Sequence, residues 1–407
     1  MWNKMELLAP AGDLEKLKTA VDYGADAVYF GGEAFSLRAG ADNFSPDEMK
    51  EGIAYAHEKG KKCYLTLNIF PHNEDLPLLE DFVEEIKDHG LDAFILSDPG
   101  AISILRHIIP EAEIHLSTQA NVTNYRAAEF WYEQGIRRIV LAREMSLEDI
   151  RNMREKIPAD LEIEAFVHGA MCISYSGRCL LSNFMVDRDA NRGQCAHPCR
   201  WKYALVEEKR PGEYYPVEED DRGTYIMNSG DLCMIRHMGA LAKAGVNSAK
   251  IEGRMKSVFY VATVVGAYRR AIDAFYRGED FKEEWMEEVS KVSHRNFTTG
   301  FYFRKPTCRD QDYLSSAYQR EYSFVGIVRE YHEDTAMAVV EQRNKMSLGE
   351  EIEIFGPDKD FFTQKLQVLL DDQGNPIQSA PHPQQIVKIK MDLPVEPGDI
   401  LRKKKEV

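Results

Sequence analysis

Residues 5–32 read MELLAPAGDLEKLKTAVDYGADAVYFGG, and the order of apolar, capping and glycine residues in this stretch decides the fold. The apolar run ELLAP (6–10) is followed by Asp13, whose short carboxylate suits a helix N-cap. From Leu14 to Tyr23 the pattern is that of an amphipathic helix, and Gly24 closes it as a C-cap glycine should. A second apolar run, DAVYFGG (26–32), follows at once. Strand, helix and strand in this order are the unit of a parallel sheet.

The unit recurs along the chain to about Gly278. The further apolar runs are KCYLTLN (62–68), DAFILSD (92–98), EIHLST (113–118), RRIVLA (137–142), EIEAFV (162–167) and SAKIEGR (248–254). Helical patterns lie between them at Pro46–Lys59, Leu79–His89, Ala101–Ile108, Arg126–Gln134 and Leu147–Lys156. Ser45 and Ser146 are N-caps, Pro46 sits where a helix tolerates proline, and Gly60, Gly90 and Gly135 close helices. The runs are near-continuously apolar, which suits strands buried on both faces. Eight units with no sign of a strand-order break predict a (β/α)8 TIM-like barrel, with a doubly wound open sheet as the competing architecture.

A cysteine-rich insertion (168–230) separates the seventh run from a helix expected over Asp231–Ala244 and the eighth strand. It is far longer than the two to six residues usual in such connections, and its second half (207–225) reads as an exposed acidic excursion. Helices follow at 257–278 and near 282–292. The expected domains are a catalytic barrel over 1–300, a linker over 301–322, and a small C-terminal all-β barrel over 323–407. In the last, FVGIVRE, TAMAVVEQ, EEIEIFG, KLQVLLD, IVKIKMD and DILRKKK are short, alternating and punctuated by turn residues.

With 407 residues, 44% hydrophobic and 29% charged, the chain has the composition of a soluble globular protein. No secretory leader or membrane-length apolar run is read, so no membrane association and a cytoplasmic setting are expected, where thiols stay reduced. A net charge of −16 opposes non-specific nucleic-acid binding and requires any RNA contact to come from clustered basic residues.

Four of the seven cysteines fall in EAFVHGAMCISYSGRCLLSNFMVDRDANRGQCAHPCR (164–200), spaced Cys172-x6-Cys179-x15-Cys195-x3-Cys199. Reduced thiols at this density are ligands or catalytic groups. The spacing leaves three readings: an iron–sulfur cluster, zinc, or a thiol or packing role. Cys63 reads as a core residue in a strand, and Cys308 has no evident partner. In a barrel, chemistry belongs to the loops after the strands, and those after strands seven and eight commonly bind anions. The cysteines and the segment Glu252-Gly253-Arg254 therefore converge on one mouth. Other strand ends offer Asn68, Asp98, Ser117, Thr118, Gln119 and Arg143.

The segment EAFVHGAMCISYSGRCLLS, with MELLAPAGDLEKLKTAVDYGADAVYFGG before it and SAKIEGRMKS after it, resembles the collagenase-like peptidase family, the peptidases of unassigned mechanism. NRGQCAHPCRW and the chain length are most similar to the branch of prephenate-dependent tRNA uridine 5-hydroxylases. The resemblance implies a 4Fe–4S cluster on Cys172, Cys179, Cys195 and Cys199, with Cys233 as the alternative fourth ligand. It also implies wobble-uridine hydroxylation without dioxygen, tRNA as substrate and prephenate as cosubstrate. Arg143, Glu252, Arg254 and His168 are then the expected catalytic groups, with His197 a spare ligand or proton carrier.

Arginine forks suit the two prephenate carboxylates, which points to Arg143, Arg178 and Arg254 with Lys250 behind them. Phosphate contacts and base stacking are expected from Arg178, Arg188, Arg192, Arg200, Lys202, Trp201 and Lys256, extended by Arg269, Arg270, Tyr175 and Phe184. Two other functions remain open, a cysteine-type or collagenase-like peptidase and a non-catalytic RNA-binding protein. HExxH is absent, and no third group stands out to orient a Cys–His pair. A partner or homologous subunit is a further possibility.

Overall fold

A computed structural model of the chain describes residues 4–32, 35, 43–172, 174, 178–179, 181–192, 194–200, 205–206, 214–215, 219–220, 223–224, 230–304, 320–357 and 359–405. In β1 (Glu6–Pro10) every residue after Glu6 is buried, and β2 (Ala27–Phe30) is buried throughout. Between them Asp13 caps α1 (Leu14–Asp22) by accepting from the Lys16 amide at 2.8 Å. The same logic gives β3 (Lys62–Thr66), β4 (Ala93–Leu96), β5 (Ile114–Leu116), β6 (Arg138–Val140) and β7 (Glu162–Ala170). The helices between them are α2 (Pro46–Glu58), α3 (Leu76–Ile86), α4 (Pro99–Ile108), α5 (Tyr125–Glu133) and α6 (Leu147–Arg154).

The insertion contributes α7 (Leu181–Val186) and two-residue strands that pair as β8 (Leu205–Val206) with β9 (Tyr214–Tyr215) and β10 (Glu219–Asp220) with β11 (Gly223–Thr224). After β12 (Asp231–Cys233) and α8 (Met238–Ala244) comes β13 (Ser248–Ile251), which is parallel to both β1 and β7. That double pairing closes the eight expected strands into a TIM-like barrel and excludes the open sheet. α9 (Val258–Arg277) and α10 (Glu283–Ser290) complete this part of the chain. No described helix is long and apolar enough to cross a membrane.

Two expectations on the insertion's flanks fail. β7 runs past EIEAFV to Ala170, and the helix expected from Asp231 begins only at Met238. The overhang of β7 leaves an open strand edge, and β12 fills it in antiparallel register, with Asp231 opposite Ala170 and Cys233 opposite His168. Asp231 is held there by buried Arg295, whose Nη2 lies 2.7 Å from its carboxylate. β14 (Phe297–Thr298) adds to the outer edge of β12.

The C-terminal region is an all-antiparallel sheet around its own core of Val325, Val340, Ile352, Ile354, Val387 and Leu401. Its strands are β15 (Tyr322–His332), β16 (Met337–Gln342), β18 (Glu351–Gly356), β19 (Lys359–Lys365), β20 (Leu369–Leu370), β22 (Ile386–Lys390) and β23 (Ile400–Lys404). Their order is β19-β18-β23-β15-β16-β22-β20, and β17 (Met346–Ser347) pairs separately with β21 (Ser379–Ala380). KLQVLLD forms only the two-residue β20, paired with β22, rather than a full strand. The strand is the largely exposed edge KDFFTQK just before it, so apolar periodicity pointed to the wrong neighbour.

This sheet packs on the barrel through aromatic and ionic contacts. Tyr23 donates its hydroxyl to the Gly398 carbonyl at 3.1 Å, and Glu15 receives Arg329 and Arg343, each at 2.6 Å. Fully buried Arg402 reaches Glu288 on α10 at 2.7 and 2.9 Å and Glu353 at 2.7 Å. Burial alone would raise the Glu288 pKa, yet Arg402 and Lys291 bring it below the ordinary value. Replacing Arg402 with alanine leaves two partly buried carboxylates without their main cation. We expect Arg402→Ala to lower stability by about 3 kcal/mol in urea denaturation of the full chain, and Arg402→Lys to lose less.

Candidate functional site

A cavity opens at the C-terminal end of the barrel, where the strand ends and the insertion meet. Its floor and wall take Tyr29, Thr66, Ile95, Ser117, Gln119, Phe166 and Lys250 from the strands and the turns just beyond them. Ala170 ends β7, and Arg143, Met171, Glu252, Arg254, Met255 and Lys256 come from the loops that follow the strands. From the insertion come Cys172, Cys179, Cys195, His197 and Cys199. The four cysteines expected to act together thus share one lining, and all four are free thiols.

Backbone geometry presents these sulfurs. The Leu181 amide donates to Cys179 Sγ at 3.4 Å, and the His197 amide donates to Cys195 Sγ at the same distance. Asn191 clasps the Cys179 backbone, accepting its N–H at 3.2 Å and donating to its carbonyl at 3.2 Å. Buried Ser182 takes the Ala196 amide at 2.9 Å, tying the two cysteine pairs together. Burial raises the Cys172 thiol pKa; the Cys179 and Cys195 thiolates add to the rise, while Arg143 opposes it. Among the described residues no three Cys, His, Asp or Glu side chains are placed to share one metal ion.

The cations beneath are held firmly. Lys250 is 4% exposed, lies 2.7 Å from Glu164, and stands over the Tyr29 ring at 4.4 Å. Burial lowers its pKa, and Glu164 works against that shift. Arg254 donates to Thr66 Oγ1 at 2.9 Å. Arg143 donates to the Ala170 carbonyl at 3.2 Å, with its guanidinium 4.0 Å above the Phe166 ring. Three positive groups and two aromatic faces thus sit below the thiols. Such a chamber can hold an anionic small molecule and a flat ring.

Gly169 shows why the motif needs glycine beside its histidine. Its φ is +109°, and a Cβ there would stand 2.7 Å from the Glu252 carbonyl oxygen. Only glycine lets the β7 overhang lie this close to the Glu252 backbone.

His168 is not a cavity group, contrary to the expectation that it reacts. The register of β7 against β13 shifts between Lys250 and Ile251, so Lys250 faces Phe166 and Ile251 faces His168. That one-residue slip turns His168 away from the side of Glu164 and Phe166. Its ring instead packs among Tyr260, Tyr268 and Phe297, with Nδ1 3.2 Å from the Tyr268 hydroxyl. Cys233 shares this buried layer, 3.8 Å from the Tyr268 hydroxyl and off the cavity lining, and burial pushes its thiol up to about 11. Of the two candidate fourth ligands, Cys199 faces the cavity and Cys233 does not.

Of the expected basic patch, only Lys256 among the described residues lines the cavity. It donates to the Ser293 carbonyl at 3.2 Å. Arg178 is exposed, with its guanidinium 5.1 Å from the Phe70 ring, and Arg188 is exposed just after α7. Arg269 and Arg270 do not belong to it. Arg269 pairs with Asp26 at 2.8 Å, and Arg270 donates to the Lys359 carbonyl of the C-terminal sheet at 2.9 Å. Tyr175, Trp201, Lys202 and Cys308, and the side chains of Phe184, Arg192 and Arg200, lie outside the described residues. Cys63 is a core thiol as expected, pushed up to about 12 by burial.

Fold and site together define a TIM-like barrel protein with a thiol-lined, cation-floored mouth. The chain belongs to peptidase family U32: the family model matches residues 12–312, and that of the U32 C-terminal domain matches residues 320–402. It is 46% identical over 405 residues to a protein of Bacillus subtilis (strain 168) named tRNA hydroxylation protein P1, covering 99% of this chain and 95% of the relative. It is 41% identical over 397 residues to tRNA hydroxylation protein P of Escherichia coli (strain K12), covering 87% and 86%. A Porphyromonas gingivalis protein named collagenase is 34% identical over 379 residues, with 90% of each chain covered.

Burial pushes the His168 pKa down to about 3 from an ordinary 6.5, so the folded protein binds fewer protons there than the unfolded chain. Stability from this group is complete above pH 6.5 and is lost as pH falls toward 3, by about 1 kcal/mol per pH unit. Urea denaturation at stepped pH should show the wild type losing stability more steeply than His168→Phe as pH falls from 6.5 toward 3, the difference being that slope.

Proposed function

We propose that this chain is a tRNA hydroxylase that forms 5-hydroxyuridine at the wobble position, with prephenate as cosubstrate and without dioxygen. One observation carries the reading. Cys172, Cys179, Cys195 and Cys199 line a single cavity with Arg143, Lys250 and Arg254, in a chain 46% identical to a protein named for tRNA hydroxylation.

The donor set fits a 4Fe–4S cluster. Four thiols share one lining, the ligand type that iron–sulfur clusters take, and two of the sulfurs accept backbone N–H bonds. When bound, such a cluster supplies one-electron chemistry at the cavity wall. The chain's own residues do the rest. Arg143 and Arg254 receive the two carboxylates of prephenate, and Lys250 adds a third positive charge below them. Phe166 and Tyr29 offer ring faces to a flat base, and Lys256, Arg178 and Arg188 take phosphates at the rim. Aromatic walls and buried cations keep water from the reacting carbon.

A specific contact favours a second reading. Cys195 Sγ lies 3.8 Å from His197 Nδ1, the pairing a thiol peptidase would use. That reading predicts peptide cleavage that Cys195→Ala abolishes and iron removal leaves intact.

Nucleoside analysis of tRNA from a deletion strain, grown with and without dioxygen, separates the readings. The wild-type gene should restore 5-hydroxyuridine in both atmospheres, and Cys179→Ala should restore none. Restoration by Cys179→Ala would instead mean a non-catalytic RNA-binding role, and restoration only in air would make dioxygen the oxygen source.

A further inference from the structure

Gln119 follows β5 in a short turn, Thr118–Ala120, and reaches the cavity with 2% of its surface exposed. The turn is pinned on both sides. Ala120 N–H donates to the Ser117 carbonyl at 2.9 Å, Asn121 N–H donates to the Thr118 carbonyl at 3.0 Å, and the Thr118 hydroxyl donates to the Leu141 carbonyl at 2.9 Å. The Ser117 hydroxyl donates to Gln119 Oε1 at 3.4 Å, which leaves the amide nitrogen as the unpartnered end of the side chain. Among the described residues Gln119 Nε2 has no acceptor. Of the buried side-chain atoms in that condition, it alone belongs to a residue on the cavity lining. A buried donor left unsatisfied is costly, so one held by a fixed turn at a binding cavity is matched to an acceptor on the ligand.

The chemistry of that acceptor follows from what surrounds it. Arg143, Lys250 and Arg254 already supply cations, and a carboxylate goes to such charged donors in preference to a neutral amide. An uncharged carbonyl oxygen suits Gln119 better. Uracil and cytosine differ at this point: uracil has a carbonyl at C4, next to the carbon that is hydroxylated, and cytosine has an amino group. We propose that Gln119 is the specificity-determining residue of this site, donating to the 4-carbonyl of the target pyrimidine and selecting uracil over cytosine. The proposal rests on the tRNA-hydroxylase reading above. Cytosine would set two donors against each other in a dry pocket, and a site built around one hydrogen bond rejects analogues that cannot make it.

Binding of the purified full-length protein to anticodon stem-loop RNAs tests this, with uridine, 4-thiouridine or cytidine at the target position. Sulfur accepts hydrogen bonds poorly, so the wild type should bind the uridine loop about tenfold tighter than either analogue. Gln119→Leu should bind all three loops alike, and Gln119→Glu, which can only accept, should prefer cytidine. The KM for prephenate should stay at the wild-type value in Gln119→Leu, which adds no charge to the cation-lined chamber. A uridine preference that survives in Gln119→Leu, or a variant whose only change is a raised KM for prephenate, overturns the proposal. Should the variants fold poorly, equal wild-type affinity for uridine and 4-thiouridine overturns it alone. Wild-type protein that restores no 5-hydroxyuridine in the deletion strain refutes the parent reading instead, whatever the loop preferences are.

Discussion

Glu164 stands inside the barrel with none of its surface exposed, 2.7 Å from Lys250 Nζ and 3.4 Å from Arg138 Nη1. Arg138 continues the chain of charge to Glu6 at 2.5 Å and Glu162 at 2.6 Å, and Glu6 takes the Tyr64 and Ser248 hydroxyls at 2.8 and 2.9 Å. These residues come from β1, β3, β6, β7 and β13, so one ionic column ties together strands far apart in sequence. A buried ion pair adds little net stability over an apolar filling of the same shape. What the column does provide is position. It sets an ammonium at the cavity floor and anchors the strand from which the cysteine segment departs.

The rim is built on that strand. Because β7 overruns the barrel, its last residues need pairing partners that the barrel cannot supply, and β12 returns from the far side of the insertion to provide them. The insertion is thereby tethered at both ends beside one strand. The same overhang carries the register slip that sends His168 outward, and it delivers Cys172 to the cavity two residues after Ala170. One backbone irregularity thus divides the segment into a buried aromatic layer and a cavity-lining face.

Much of this was legible in the sequence. The eight apolar runs and their caps marked all the barrel strands, since strands buried on both faces leave an unmistakable pattern. The position of the cysteines after the seventh run placed them at the mouth. Other features left no local trace. A strand pair three residues long, such as β12 against β7, depends on an edge that exists only once the barrel has closed. The orientation of His168 depends on a slip against β13, which lies some 80 residues further along. Arg270 looked available for RNA because nothing nearby in sequence shows that the Lys359 carbonyl engages it, while Arg269 has a legible partner four residues on in Asp273 and a distant one in Asp26. Gln119 was visible only as one polar residue among several at strand ends. Its distinction, a donor left over in a closed turn, belongs to the folded chain.

The account turns on the four cavity-lining thiols acting as one ligand set. Iron and acid-labile sulfide, measured on anaerobically purified wild type, Cys199→Ala and Cys233→Ala, address this directly. About four of each per chain are predicted for the wild type and for Cys233→Ala, with loss in Cys199→Ala. A cluster that survives in Cys199→Ala and disappears in Cys233→Ala would contradict it.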